Sequence, residues 1–224
     1  NIVAAQESGR TDQPIDAHDW EFVCSYYEKL NCRNLAIPSV WISNKEETLR
    51  TAEQLNRVGR RMRELGFVFY YHNHAHEFIR DGDYTLYDYL IDHTDPDYVR
   101  FELDLGWALR AGYQPVELLE KLSNRCDIVH LKDFNYTPKF PINVFDTLKQ
   151  HGDKAFDSFM VYREFTAPDD YADLGNGSVD LADLCAYMRK MGHVRYAIVE
   201  NIGISPEKFG SIANDLAFVK RHLL

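Results

Sequence analysis

The feature that most constrains the fold of this chain is a regular alternation of short apolar runs with longer segments of helical periodicity. Runs of strand length, such as residues 34–38 and 67–72, alternate with segments in which apolar residues recur every three or four positions. Repeated strand and helix units are typical of α/β proteins, because each helix returns the chain to the start of the next parallel strand. The pattern therefore predicts a parallel sheet covered by helices.

The same alternation predicts bounds for the individual strands and helices. The predicted strands span residues 1–5, 34–38, 67–72, 99–104, 127–132 and 196–200. The predicted helices span residues 19–30, 43–65, 85–91, 114–122, 180–191 and 205–223, with Ser178 as the alternative cap to Asp180 for the fifth. Ser43 and Glu46 have the spacing of a capping box, and Phe209, Ile212 and Leu216 lie along one side of the last helix. Residues 134–173 form a long aromatic excursion of the kind found over sites, within which residues 159–165 are compatible with a further strand.

The number of units favours a barrel. About seven strands are predicted, the first incomplete, and a (β/α)8 TIM barrel needs eight. We therefore expect such a barrel without its first strand, its first helix and part of its second strand. A doubly wound sheet is the alternative, but the Gly-rich phosphate-binding turn expected after an early strand is missing from the sequence. No linker divides residues 1–224, which predicts a single domain.

Charge and cysteine usage exclude several functional classes. Lys and Arg number 25 against 35 Asp and Glu, a net charge of −10, and no basic run offers a surface for nucleic acid or an anionic membrane. No apolar stretch is long enough to span a membrane. The scattered Cys24, Cys32, Cys126 and Cys185 favour reduced thiols in a cytoplasmic enzyme, with a Cys24 to Cys32 bridge left open.

Polar residues capable of binding metal end several of the apolar strands. Asp104, His130 and Glu200 each end a strand, and the strand at 67–72 leads into His72 and His74. Barrel active sites lie at these carboxyl ends. Imidazole and carboxylate ligands suit Mn, Co, Zn, Fe or Mg.

Each of these residues also has a purely structural interpretation. A single histidine at a strand end is usually a hydrogen-bonded core residue, and a buried carboxylate there often forms a salt bridge or a helix cap. Lys132 and Asp133 are equally compatible with a solvent-facing pair. The segment LGNGSVD (residues 174–180) favours a turn and a helix cap over a phosphate loop, because it lacks the preceding strand and the lysine of that motif.

A resemblance covers the whole chain. The motifs YHNHAHEF, ELDLGWALRAG, VHLKDF, LGNGSVD and IVEN, in this order, resemble the sugar phosphate isomerase/epimerase family of xylose-isomerase-like TIM barrels. The resemblance implies a divalent metal on strands four, five, six and eight, held here by His72, Asp104, His130 and Glu200. His72 stands where a glutamate is usual in the family, and the reverse assignment, with His74 as the ligand, stays open.

The resemblance also implies a reaction. It suggests an isomerase or epimerase that moves a proton next to a carbonyl of a sugar or cyclitol through an enediolate, with His74, Glu200 and Lys132 as catalytic residues. A dehydratase of a keto-cyclitol or keto-sugar, similar to the inosose dehydratases, is the first alternative. A non-catalytic carbohydrate-binding barrel is the second, and an abasic-site endonuclease is disfavoured by the charge.

The sequence also leads to expectations about binding partners and about the length of the natural protein. We expect a small-molecule sugar or cyclitol as the partner, with no nucleic acid and no membrane, and leave self-association into a homo-oligomer open. A barrel without its first strand exposes a strand edge on each side of the gap. We therefore expect the natural protein to be longer at its N-terminus or to pair with a partner.

Overall fold

The first half of the chain folds as a set of parallel strands and helices. The computed structural model describes residues 5–6, 14–201 and 207–224, and the chain divides into two compact units, Asn1–Glu102 and Leu103–Leu224. The first unit contains β1 (Ala5–Gln6), α1 (Trp20–Lys29), β2 (Asn34–Ile37), α2 (Lys45–Glu64), β3 (Val68–His72), β4 (Arg80–Asp81), β5 (Tyr84–Thr85), α3 (Leu86–His93) and the larger part of β6 (Val99–Asp104).

The strands of the first unit confirm the predicted alternation. β1, β2, β3 and β6 pair in this order, and every pair is parallel. The register sets Leu35 opposite Phe69 and His72 opposite Glu102. Because each strand must return to the same edge, α1, α2 and α3 connect successive strands. The predicted residues 1–4 of the first strand lie outside the described residues.

Helix α2 buries the apolar residues that the sequence places on one of its faces. Leu55, Val58 and Met62 are buried at helical spacing. The predicted capping box is wrong by one residue: the N-cap is Asn44, whose side chain accepts a hydrogen bond from the Glu47 N–H. Asn caps helices as well as Ser does, and the spacing alone does not separate two adjacent candidates.

The second unit has shorter helices. It contains α4 (Leu105–Arg110), α5 (Pro115–Leu122), β7 (Ile128–Leu131), β8 (Asp133–Phe134), α6 (Val144–Gln150), α7 (Met160–Glu164), β9 (Tyr171–Ala172), α8 (Leu181–Met191), β10 (Tyr196–Val199) and α9 (Lys208–His222). β7 and β10 pair in parallel, and β8 and β9 form a short antiparallel pair.

One expectation for this unit is corrected. The further strand considered at residues 159–165 is wrong, because α7 occupies that segment with Val161 and Tyr162 buried. The predicted last helix is confirmed as α9, and its apolar residues are exposed, with Phe209 at 88%, Ile212 at 62% and Leu216 at 49% exposure. The predicted start of that helix at Ser205 and Pro206 lies outside the described residues.

Other expectations concern thiols and membranes. Cys24, Cys32, Cys126 and Cys185 are all buried, and they form no disulfide with one another. Burial is the main cause that raises the pKa of both Cys24 and Cys185 to about 11, so these thiols are poor nucleophiles at neutral pH. No helix among the described residues is long and apolar enough to cross a membrane.

Candidate active site

In the first unit, histidines cluster at the end of β3. His72 is the last residue of the strand and is buried, and its Nδ1 lies 3.4 Å from Oε2 of the buried Glu102 on β6. The rings of His72 and His74 meet edge to face, with centroids 5.3 Å apart. The two histidines are therefore neighbours, as their spacing predicts.

A buried glutamate fixes the segment after His72. Glu77 accepts hydrogen bonds from the Tyr71 hydroxyl (2.8 Å) and the His74 N–H (2.9 Å), and it lies 3.4 Å from Nδ1 of His76. The His76 ring stacks on Trp41 with centroids 4.6 Å apart. These contacts hold the backbone on which His74 is carried.

Sequence reasoning missed both buried glutamates of this unit. Glu102 lies two residues before Asp104 in β6, and residues two apart on a strand share a face, so the strand periodicity could have found it. Glu77 follows three histidine positions in HNHAHEF, but nothing in that order marks it as the acceptor.

In the second unit, Asp104 is the N-cap residue of α4 and also forms a salt bridge with Lys132. Its Oδ1 accepts the Trp107 N–H at 2.9 Å, the N-cap bond of α4, and its Oδ2 accepts Nζ of Lys132 at 2.6 Å. The helix-cap and salt-bridge interpretations are thus both correct for Asp104. They do not exclude metal binding, since a carboxylate offers about four acceptor positions.

His130 and Glu200 complete the group. Nδ1 of His130, on β7, lies 2.8 Å from Oε2 of Glu200 and 4.0 Å from Oδ2 of Asp104. Nζ of Lys132 lies 3.2 Å from the same Glu200 oxygen. Asp104, His130 and Lys132 are buried, whereas the Glu200 side chain is 39% exposed. One side of the group therefore faces solvent.

The charges of this group stabilise one another. Burial raises the pKa of Glu200, but the hydrogen bond with His130 and the charge of Lys132 outweigh it and lower the pKa to about 2. Burial lowers the pKa of Lys132, but the charges of Asp104 and Glu200 outweigh it and raise the pKa above its usual range. At neutral pH Glu200 thus stays a carboxylate and Lys132 stays an ammonium, which makes Lys132 a hydrogen-bond donor and not a base.

A glycine makes room for the lysine. A Cβ added at Gly106 would lie 2.7 Å from both Cβ and Cδ of Lys132, closer than side chains tolerate. The lysine stem therefore crosses the first turn of α4, and Nζ comes 5.2 Å from the centre of the Trp107 ring. The ammonium is held by two carboxylates, that of Asp104 at the end of β6 and that of Glu200 directly after β10.

Asp133 is also buried, which corrects the solvent-facing interpretation of the Lys132 and Asp133 pair. Its carboxylate accepts four backbone N–H groups, one from Phe134 and three from the loop at residues 174–180. Asp180 then caps α8 by accepting the Asp183 N–H. The loop is thus a turn and helix cap, as the sequence favours, and its bound amides face a carboxylate.

The fold and these motifs agree with comparisons to known proteins. A family model described as "Xylose isomerase-like TIM barrel" matches residues 10–222. The chain belongs to this family. Its fold class is therefore the α/β TIM barrel, as the sequence predicts.

Two curated relatives of this chain are both named inosose dehydratase. The chain is 31% identical over 146 residues to an inosose dehydratase of Geobacillus kaustophilus, covering 65% of this chain and 42% of that protein. It is 27% identical over 180 residues to an inosose dehydratase of Clostridium beijerinckii, covering 80% of this chain and 53% of that protein. The chain thus spans about half the length of these relatives.

A solved structure supports the fold. The chain is similar to a sugar phosphate isomerase/epimerase from Parabacteroides distasonis, with a TM-score of 0.70 and 20% identity over 98% of this chain and 70% of that one. At this identity the likeness concerns the fold alone.

Proposed function

We propose that this chain is a metal-dependent enzyme that removes a proton next to the carbonyl of a keto-sugar or keto-cyclitol. The observation that supports it is the contact of Asp104, His130, Lys132 and Glu200, where the Lys132 ammonium binds two carboxylates and the His130 imidazole bonds one of them. Such a set combines metal ligands with a donor for a developing negative charge.

The donor set fits a divalent metal. We propose Asp104, His130 and Glu200 as ligands from the second unit and, from the family resemblance, His72 as the fourth, with His74 as the alternative to His72. Carboxylate oxygens with imidazole nitrogens suit Mn, Co, Zn, Fe or Mg. When bound, the ion would supply Lewis-acid polarisation of the substrate carbonyl.

The remaining chemistry belongs to the side chains. Lys132 keeps its proton and donates a hydrogen bond to the oxygen that becomes negative when the adjacent C–H bond breaks. His74 and Glu200 are the proposed proton-transfer groups, and a positioned base contributes roughly 10²- to 10⁴-fold to such a step. The proton leaves the carbon for the base, and its electron pair forms the enolate.

The fate of the enolate distinguishes two candidate functions. An isomerase or epimerase, the first expectation from the sequence, returns the proton to carbon and loses nothing. A dehydratase expels the hydroxyl from the next carbon, which leaves as water after protonation. The names of the relatives favour dehydration. So does His72 at the strand-four position, because it removes one of the two carboxylates of a symmetrical proton exchange.

Metal content tests the centre. We expect elemental mass spectrometry to find about one Mn, Co, Zn or Fe ion per chain, and Asp104→Ala and His130→Ala each to lose it. His93→Ala is the matched control, because His93 is exposed at the end of α3 and should keep the metal. A chain that binds no ion after reconstitution contradicts the proposal and favours the non-catalytic carbohydrate-binding alternative.

Deuterium exchange tests the reaction. The metal-loaded chain is incubated in D₂O with keto-cyclitols and keto-sugars, and the products are followed by NMR. Loss of water to a deoxy-keto product supports the dehydratase, and exchange of the proton beside the carbonyl without loss of mass supports the isomerase. Binding without exchange of any proton would refute both.

A further inference from the structure

The last residue of α4 is a buried cation with few partners. Arg110 is 1% exposed. One hydrogen bond connects its Nη2 to the Phe165 carbonyl oxygen at 2.8 Å, and its Cζ lies 5.5 Å from the centre of the Trp107 ring. Among the described residues, no carboxylate forms a salt bridge with this guanidinium, and its Nε has no hydrogen-bond partner.

Such a cation is unfavourable by itself. Removing an ion from water is costly, and proteins usually offset this cost with a paired charge. Stacking on an aromatic ring recovers only part of it. A guanidinium carries five N–H donors, so one hydrogen bond leaves most of its capacity unused. An anion beside Arg110 would therefore be strongly favoured.

A second buried donor belongs to the same unit. The Tyr171 hydroxyl is buried without a hydrogen-bond partner among the described residues. Burial lowers the pKa of Arg110, and of the ionisable side chains that oppose this shift Tyr171 has the largest effect, ahead of Asp170 and Tyr162. The Asp170 carboxylate is itself bound to the backbone N–H groups of Lys139 and Ala167, each at 2.7 Å.

The Arg110 guanidinium and the Lys132 ammonium have one aromatic neighbour in common. The centre of the Trp107 ring lies 5.5 Å from the Arg110 guanidinium and 5.2 Å from the Lys132 ammonium. Lys132 forms salt bridges with two carboxylates, whereas Arg110 forms none with any described residue. A substrate held at Lys132 can thus present another of its groups toward Arg110.

We propose that Arg110 and Tyr171 form a subsite for a carboxylate carried by the substrate. A guanidinium binds the two oxygens of a carboxylate through parallel N–H bonds, and the phenol adds one more donor. The single positive charge matches a carboxylate, whereas a phosphate dianion would leave a buried negative charge. The inference rests on the proposed function and narrows its substrate to a keto-sugar or cyclitol acid.

Residues of the excursion at 134–173 cover Arg110. The Phe165 oxygen accepts one N–H of Arg110, and the Tyr162 ring packs on Trp107 with centroids 4.6 Å apart. A carboxylate bound at Arg110 would compete with the Phe165 oxygen for this N–H group. We therefore expect α7 and Phe165 to be the segment that responds to the ligand.

Gluconate, a polyol carboxylate, is the probe. We expect millimolar gluconate to raise the melting temperature of the purified full chain, with sorbitol, its uncharged counterpart, and chloride at equal ionic strength giving no rise. Arg110→Gln and Arg110→Met should weaken gluconate binding about tenfold or more, as expected for a lost charged hydrogen bond. Tyr171→Phe should weaken it less. Arg163→Gln, at an exposed arginine of α7, is the matched control and should bind as the wild type does.

The variants without ligand separate binding from a structural role. Arg110→Met should melt at the same temperature as the wild type or higher, because it replaces an unpaired buried cation with an apolar chain. A lower melting temperature, together with an unchanged rise in melting temperature on adding gluconate, would mean that Arg110 only stabilises the fold through its hydrogen bond to Phe165. That result would overturn the proposal. No shift in the wild type, or a shift with inorganic phosphate alone, would also overturn it. Metal loading and turnover are measured separately, so failure of the proposed function remains distinguishable.

Discussion

Replacing Asp133 by asparagine tests how the loop at residues 174–180 is held. Oδ1 of Asp133 accepts the N–H groups of Phe134 (2.9 Å) and Val179 (3.1 Å). Oδ2 accepts those of Gly175 (2.9 Å) and Gly177 (3.0 Å). Asparagine has nearly the same shape, but one of its two terminal groups is a donor. In either orientation, two buried N–H groups would face an NH₂ group.

The magnitude follows from these four bonds. A hydrogen bond to a charged group contributes about 1.5–3 kcal/mol, so the loss of two costs about 3–6 kcal/mol. Burial of the carboxylate raises the pKa of Asp133 against the effect of the four N–H groups, and removing the charge relieves that cost. We therefore expect a loss of about 3 kcal/mol, or about 6–12 °C in melting temperature for a chain of this size.

Urea unfolding and amide hydrogen exchange measure the two consequences. The midpoint should fall with an unchanged slope, and the amides of Gly175, Gly177 and Val179 should exchange faster than in the wild type. Asp180→Asn is the matched control, because it lies in the same loop and Asn caps helices as well as Asp does. A change below about 0.5 kcal/mol in Asp133→Asn, with unchanged exchange at these amides, would refute the reasoning.

Two further predictions concern local packing and capping. Gly106→Ala should lower the unfolding free energy by about 1–3 kcal/mol in urea titrations, because the new methyl overlaps the Lys132 stem. Gly210→Ala, whose Cβ would meet no described residue closer than 3.6 Å, should not destabilise α9, and equal losses in both variants would contradict the steric explanation. Asn44→Ala should cost about 1 kcal/mol and Glu46→Ala under about 0.5 kcal/mol in the same titration, and the reverse order would restore the predicted Ser43 box.

The repeated strand and helix units were readable from sequence because they depend on local periodicity. β6 spans Val99–Asp104, the predicted bounds, since its apolar run is buried along nearly its whole length. Helix α5 begins at Pro115, where proline fits the first turn. The segment at residues 159–165 failed because its aromatic residues suit a strand and a buried helix face equally, and packing alone decides between them.

The sequence by itself also identified candidate site residues, since Asp104, His130 and Glu200 lie at or beside the ends of apolar strands and have side chains of the kinds that bind metals. Only the tertiary structure decided that Lys132 is an ammonium held by two carboxylates and that Arg110 is a buried cation with no salt bridge to any described residue. Both facts depend on distances between residues far apart in the chain. Periodicity reports the direction of a side chain from its own backbone, whereas its charge state and partners are set by the neighbours that folding brings to it.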